Sequence, residues 1–146
     1  MGRYLGLDIG DKTIGVAVSD PLFLTAQGVC TIERVGVRKD TGKVIEYVDE
    51  YDATVIVAGL PLNLSGEDSI QTQKVREFVA MLENKLRSTG HSKVEVVFQD
   101  ERFTTKISEA VLMEAGVRRE NRKQYLDKMA AQLILQTYMD SHPQNK

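Results

Sequence analysis

The order of the apolar segments constrains this chain more than any other feature. Three strand-like runs come first, Tyr4 to Ile9, Ile14 to Ser19 and Val29 to Glu33. The Gly10-Asp11-Lys12 link between the first two is short enough for an antiparallel hairpin, and the third run continues the meander. Helices then alternate with strands. Asp40 or Thr41 is expected to cap a helix carrying Val44, Ile45, Val48 and Tyr51 at helical spacing. Val55 to Ala58 is a short, continuously apolar strand of the kind buried on both faces. The segment GLPLNLSG (59–66) reads as a loop, and a long helix follows from about Asp68 to Arg87. Its apolar stripe is Ile70, Val75, Phe78, Val79, Leu82 and Leu86, with Gly90 just beyond its end. Val94 to Gln99 is another strand. Thr104 or Thr105 caps a helix carrying Ile107, Val111, Leu112 and Ala115, stopped by Gly116. A final helix runs from about Gln124 to Asp140. A meander followed by strand–helix alternation predicts an α/β fold, a mixed sheet covered by helices on both faces. No repeat or linker interrupts it, so one domain is expected over residues 1–140, with a flexible tail at 141–146.

Composition narrows the function classes. The chain has 146 residues, 42% hydrophobic and 27% charged, enough to bury a core without covalent or metal staples. Its one cysteine, Cys30, can form no internal disulfide, which fits a reduced, cytoplasmic setting. The N-terminus lacks the pattern of a secretory leader, and Gly6 stands where a myristoylation motif needs Ser or Thr. No apolar run nears the ~20 residues of a membrane helix, so no membrane partner is expected. Net charge is −2, low for a phosphate binder, yet Arg118, Arg119, Arg122 and Lys123 are clustered. Acids at a catalytic centre would offset them in the sum.

Three acids stand out. Asp8 lies inside the first strand among apolar neighbours, where a carboxylate is costly unless paired, hydrogen-bonded or metal-bound. It reads either as a site residue or as a turn aspartate ending the strand near Gly10. Asp100 and Glu101 end the strand VEVVFQ, and the carboxyl ends of strands are where open α/β sheets build sites. Adjacent strand residues point to opposite faces, so at most one of the pair joins a shared site; solvated strand-end acids are the alternative. Asp127 heads the stripe Ala130, Ala131, Ile134, Leu135 and Tyr138 along the last helix. A first-turn acid interacting with the helix dipole would explain its place near the N-terminus but not its place on the stripe. If the three converge, their repulsion calls for cations, and carboxylate oxygens suit Mg²⁺ or Mn²⁺. Two such ions about 4 Å apart can hydrolyse a phosphodiester. His91 and His142 are too far apart in sequence, and too loop-like, for a zinc site or a serine triad. Lys12, Arg102 and the basic stretch could hold backbone phosphates.

Four segments carry a family resemblance: GLDIGDKTIGVAVSD (6–20), GLPLNLSG (59–66), DERFTT (100–105) and DKMAAQLILQTY (127–138). In this order and spacing they resemble the YqgF/RuvX family, whose members are described as Holliday junction resolvases or pre-16S rRNA nucleases. The resemblance implies an RNase H-like fold, a central five-stranded sheet with helices on both faces. It also implies a metal site of Asp8, the acid of the DER block and Asp127. The DER role is carried to Glu101, with Asp100 as alternate. Some resolvases of this superfamily have a second acid one turn after the last; here that position is Ala130, which bears on whether two ions bind.

The resulting expectation is a metal-dependent nuclease using Mg²⁺ or Mn²⁺. It would process the 5′ end of pre-16S rRNA in ribosome biogenesis, with branched DNA as the alternative substrate and the chain a monomer or weak homodimer. Two other readings compete. The Asp8-x-Gly10 hairpin resembles the first phosphate loop of the actin/Hsp70-like ATP-binding superfamily, but that class needs two lobes. A non-catalytic nucleic-acid-binding module would keep its activity without Asp8.

Overall fold

A computed structural model describes residues 2–63, 65–100 and 119–142, with the side chains of 119–128 left aside. β1 (Arg3–Ile9), β2 (Thr13–Ser19) and β3 (Ala26–Glu33) form the expected meander. α1 (Val37–Tyr51), β4 (Ala53–Leu60), α2 (Ile70–Ser88), β5 (Glu95–Asp100) and α3 (Arg119–Ser141) follow. The sheet order is β3-β2-β1-β4-β5. β1 is antiparallel to β2, β2 to β3, and β1, β4 and β5 run parallel. The expected mixed five-stranded sheet is therefore present. The carboxyl ends of β1, β3, β4 and β5 share one edge with the start of β2.

Alternation along the strands divides the core into two. Leu5, Leu7 and Ile9 of β1 join Ile14, Val16, Ile56 and Ala58 in a cluster with Val44 and Val48 of α1 and Val75, Phe78, Leu82 and Leu86 of α2. Tyr4 joins Ala17, Ala26 and Val57 on the opposite face, against Ala131, Ile134, Leu135 and Met139 of α3. Helices thus cover both faces, as the pattern predicted.

Several boundaries depart from the sequence reading. α1 starts at Val37 with Gly36 as N-cap, not at Asp40 or Thr41. Both residues are buried in its first turns. The Asp40 carboxylate instead ties down the segment leading into the helix, accepting from the backbone N–H of Val35 at 3.0 Å and of Gly36 at 3.4 Å. Ser69 caps α2 in a reciprocal capping box with Thr72. Ile70, expected on its apolar stripe, is exposed, because the first helical position precedes the turn that meets the sheet. α3 begins at Arg119, taking Arg119, Arg122 and Lys123 into its first turns. Nothing in RENRKQ breaks a helix, and most of these residues favour one. The helix expected from Thr104 or Thr105 to Ala115 lies outside the described residues.

Candidate active site at the carboxyl edge

The β1–β2 hairpin builds one wall of the edge. Ile9 pairs with Ile14, and the Gly10 N–H donates to the Thr13 carbonyl at 2.9 Å. Arg34 braces this turn from behind. One of its guanidinium nitrogens donates to the Gly10 carbonyl at 2.8 Å, and its Nε donates to Asp40 at 3.0 Å. The Asp40 side chain is almost fully buried, so the pair is shielded from water and each charge requires the other. Lys12 is exposed at the tip of the turn, as a phosphate-binding reading requires. A second wall is the loop after β4. The Pro61 carbonyl accepts from the Thr72 hydroxyl at 2.6 Å, and the Asn63 N–H donates to the Glu67 carbonyl at 2.8 Å. These bonds fix the loop to the start of α2.

Asp8 stands on the α3 face of β1, half-buried, two residues beyond Gly6. Gly15 is its partner on β2. Leu7 pairs with Ala58 on β4, so Gly59 continues the row on the other side. Asp8 is thus flanked by glycine on both sides of its row in the sheet. These flanking glycines were missed in the sequence, although glycine inside a strand often marks a place where another group comes close.

Helix α3 crosses this face antiparallel to β1. Tyr138 meets Tyr4, ring centroids 5.9 Å apart, and Ala131 and Leu135 meet Gly6. A Cβ on Gly6 would lie 2.8 Å from the Ala131 carbonyl oxygen and 2.8 Å from Leu135 Cβ. Only glycine therefore allows the helix backbone so near. From that crossing, Asp8 is two strand residues, about 6.6 Å, toward the carboxyl edge. Four helical residues span about 6 Å in the same direction, which brings the register to position 127. The Gln136 amide locks it, accepting from the Ala26 N–H at 2.9 Å and donating to the Leu24 carbonyl at 3.1 Å.

Alternation along β5 fixes the face of Asp100. Val97 lies with the α3 cluster and Val96 with the α1/α2 cluster. Phe98 stacks under Arg76 of α2, 5.4 Å from the ring centroid. Asp100, half-buried, shares the parity of Val96 and Phe98, opposite to that of Asp8. Glu101, Arg102 and Arg118 lie outside the described residues, as do the side chains of Arg119, Arg122, Lys123 and Asp127. Among the described residues, no three His, Cys, Asp or Glu side chains form a metal-binding group.

Residues 2–141 match the family described as "RuvX: Holliday junction resolvase". The chain belongs to the RuvX family. It is 45% identical over 139 residues to a Clostridium novyi protein named "Putative pre-16S rRNA nuclease", covering 95% of this chain and 98% of that one. A Clostridium beijerinckii protein of the same name is 46% identical over 138 residues, covering 94% and 96%. RuvX membership at this identity supports a nuclease function. Solved structures agree on the fold. The T. thermophilus RuvC complex with a Holliday junction substrate superposes with a TM-score of 0.60 at 12% identity, covering 98% and 97% of the two chains. The Fowlpox virus resolvase–junction complex gives 0.56 at 16% identity, covering 97% and 99%. The fold is thus RNase H-like, shared with RuvC-type resolvases. Among the described residues, no helix is long and apolar enough to cross a membrane.

Proposed function

We propose that this RuvX protein is a metal-dependent nuclease whose carboxylates Asp8, Glu101 and Asp127 hold Mg²⁺ or Mn²⁺. The register of α3 on β1 carries the proposal. Gly6 sets the crossing, and equal steps along strand and helix lead to Asp8 and to position 127. Strand alternation favours Glu101 over Asp100 as the third acid, because Asp8 and Val97 share a face that Asp100 does not. The donor set fits a hard cation, since all three groups offer carboxylate oxygens. A divalent cation bound there neutralises phosphodiester charge and acidifies the attacking water. The protein's share is to hold the three acids on a rigid sheet–helix crossing at the carboxyl edge, where a nucleic-acid strand would meet them. Lys12, Arg102, Arg118, Arg119, Arg122 and Lys123 would grip the flanking phosphates.

The substrate we assign is precursor 16S rRNA, cut at the 5′ end in the cytoplasm during ribosome biogenesis. The names of the two clostridial relatives support precursor 16S rRNA as the substrate class. A Holliday junction is the second reading, favoured by the fold shared with junction-bound resolvases. Symmetric junction cutting would need two active sites and hence a dimer. One experiment tests the site and ranks the substrates. Wild type and Asp8→Asn are incubated with a precursor rRNA fragment and a four-way DNA junction, with Mg²⁺ or Mn²⁺ and with chelator. Wild type is expected to cut the RNA faster and to stop on chelation. Asp8→Asn is expected to be silent yet folded, with nucleic-acid affinity largely kept. Full cleavage by Asp8→Asn would remove the site.

A further inference from the structure

The residue facing Asp8 across the next two strands is Thr31. Asp8 pairs with Gly15 on β2, and Gly15 pairs with Thr31 on β3. Directly paired residues share a face. The neighbouring row confirms the parity, since Ile9, Ile14 and Ile32 all enter the α1/α2 core. Asp8, Gly15 and Thr31 therefore form one row on the α3 face, and the residue between the two carries no side chain. The Thr31 hydroxyl is buried and has no hydrogen-bond partner, the one such side-chain atom among the described residues. A buried hydroxyl without a partner costs about 1–3 kcal/mol. Valine would fill the same volume on a strand without that penalty.

We infer that Thr31 is a substrate-binding residue, its hydroxyl bonding the sugar–phosphate backbone of the nucleotide next to the one cleaved. This rests on the active site proposed above. Distance separates its role from that of the acids. Two strand steps put Thr31 roughly 9.6 Å from Asp8. Oxygen ligands of Mg²⁺ lie about 2.1 Å from the ion, so side chains standing roughly perpendicular to the sheet at that spacing do not share one. The hydroxyl acts on the nucleic acid instead. It can donate to a phosphate oxygen and can also accept from a ribose hydroxyl. Thr31 as a whole is only partly covered. A turn about χ1 from one staggered well to the next moves the oxygen to another side of Cβ.

The test uses Thr31→Val and Thr31→Ser, each alone and combined with Asp8→Asn so that bound substrate stays intact. Affinity for the precursor rRNA fragment and the denaturation midpoint are both measured. In the Asp8→Asn background, Thr31→Val is expected to bind about tenfold more weakly, and Thr31→Ser close to the parent. The Thr31→Val midpoint should match or exceed that of wild type, since the variant removes an unpaired buried hydroxyl. A purely structural threonine would give the reverse, lower stability with unchanged affinity. If Asp8→Asn is silent and Thr31→Val binds like its parent, the Thr31 assignment alone is overturned. Cleavage by Asp8→Asn would overturn the active site and the Thr31 assignment together. An all-DNA strand of the same sequence separates the two bonding modes. A tenfold effect kept on DNA identifies the phosphate, and an effect seen only on RNA identifies the ribose hydroxyl.

Discussion

The two faces of the sheet are built from the same strands yet have opposite characters. β1 sends Leu5, Leu7 and Ile9 toward α1 and α2, into a cluster closed by Phe78, Leu82 and Leu86. It sends Tyr4, Gly6 and Asp8 toward α3, where Gly6, Ala17 and Ala131 make a thin apolar layer. That layer ends at the carboxyl edge in a polar row, Asp8, Gly15 and Thr31. Large side chains fill the first face, and small ones bring helix and sheet backbones together on the second. Burial energy scales with the area removed from water, so most of the stability resides on the first face. The second can then hold costly groups, an acid and an unpaired hydroxyl, at its open end.

Truncating the large face should have the greatest effect on stability. Leu7 is fully buried. Leu7→Ala is expected to lose about 2–5 kcal/mol in denaturant unfolding. Its cleavage rate per folded molecule should stay near wild type, because Leu7 points away from the site. A folded Leu7→Ala protein without cleavage would break the division between the faces.

Gly6→Ala attacks the thin layer instead. The added methyl would meet the Ala131 carbonyl and Leu135 Cβ, and the carbonyl belongs to helix backbone that cannot rotate away. Replacing a strand glycine ordinarily gains roughly 0.5–1 kcal/mol. The overlap outweighs this, with an expected net loss of about 1–3 kcal/mol. The smaller stability loss should carry the larger functional one, since lifting α3 separates position 127 from Asp8. Cleavage by Gly6→Ala at the wild-type rate would show that the crossing does not set the site.

The division between the faces was largely legible in the sequence. Leu5, Leu7 and Ile9 alternate with Gly6 and Asp8, and the stripe through Ala131, Leu135 and Tyr138 gave the facing helix surface. What escaped depends on nonlocal pairing. Nothing near Thr31 in the chain shows that it stands across Gly15 from Asp8, because the register is set by the β2–β3 hairpin and its irregularity at Val16 and Ala17. Gly15 and Gly59 carry no charge to attract notice, yet they flank Asp8 in its row across the sheet. The start of α1 escaped for a related reason. Asp40 looked like a cap, but it reaches back from inside the first turns to the segment leading into the helix, drawn there by Arg34 from the end of β3. Asp100 falls on the face opposite to Asp8, by the parity that Val96, Val97 and Phe98 set along β5.

The smallest expected effect lies at the opposite, amino edge of the α3 face. There Asp20 closes the β2–β3 turn, accepting from the N–H of Leu24 at 2.7 Å and of Thr25 at 2.9 Å. The Thr25 backbone bond, more than that of Leu24, holds the Asp20 carboxyl below its ordinary value. A carboxyl depressed in the folded state stabilises the fold above its unfolded pKa and loses that contribution as pH falls through the folded one. The contribution is therefore complete at neutral pH and fades below about pH 4. Asp20→Asn should be slightly less stable than wild type at pH 7, and the two should converge as the solution is acidified. Because the turn is far from the carboxyl edge, cleavage at pH 7 should be the same in both. A stability gap that widens toward acid would reverse the sign of the linkage. A cleavage defect in Asp20→Asn would instead tie the amino-edge turn, through Gln136 and α3, to the site at the other end of the helix.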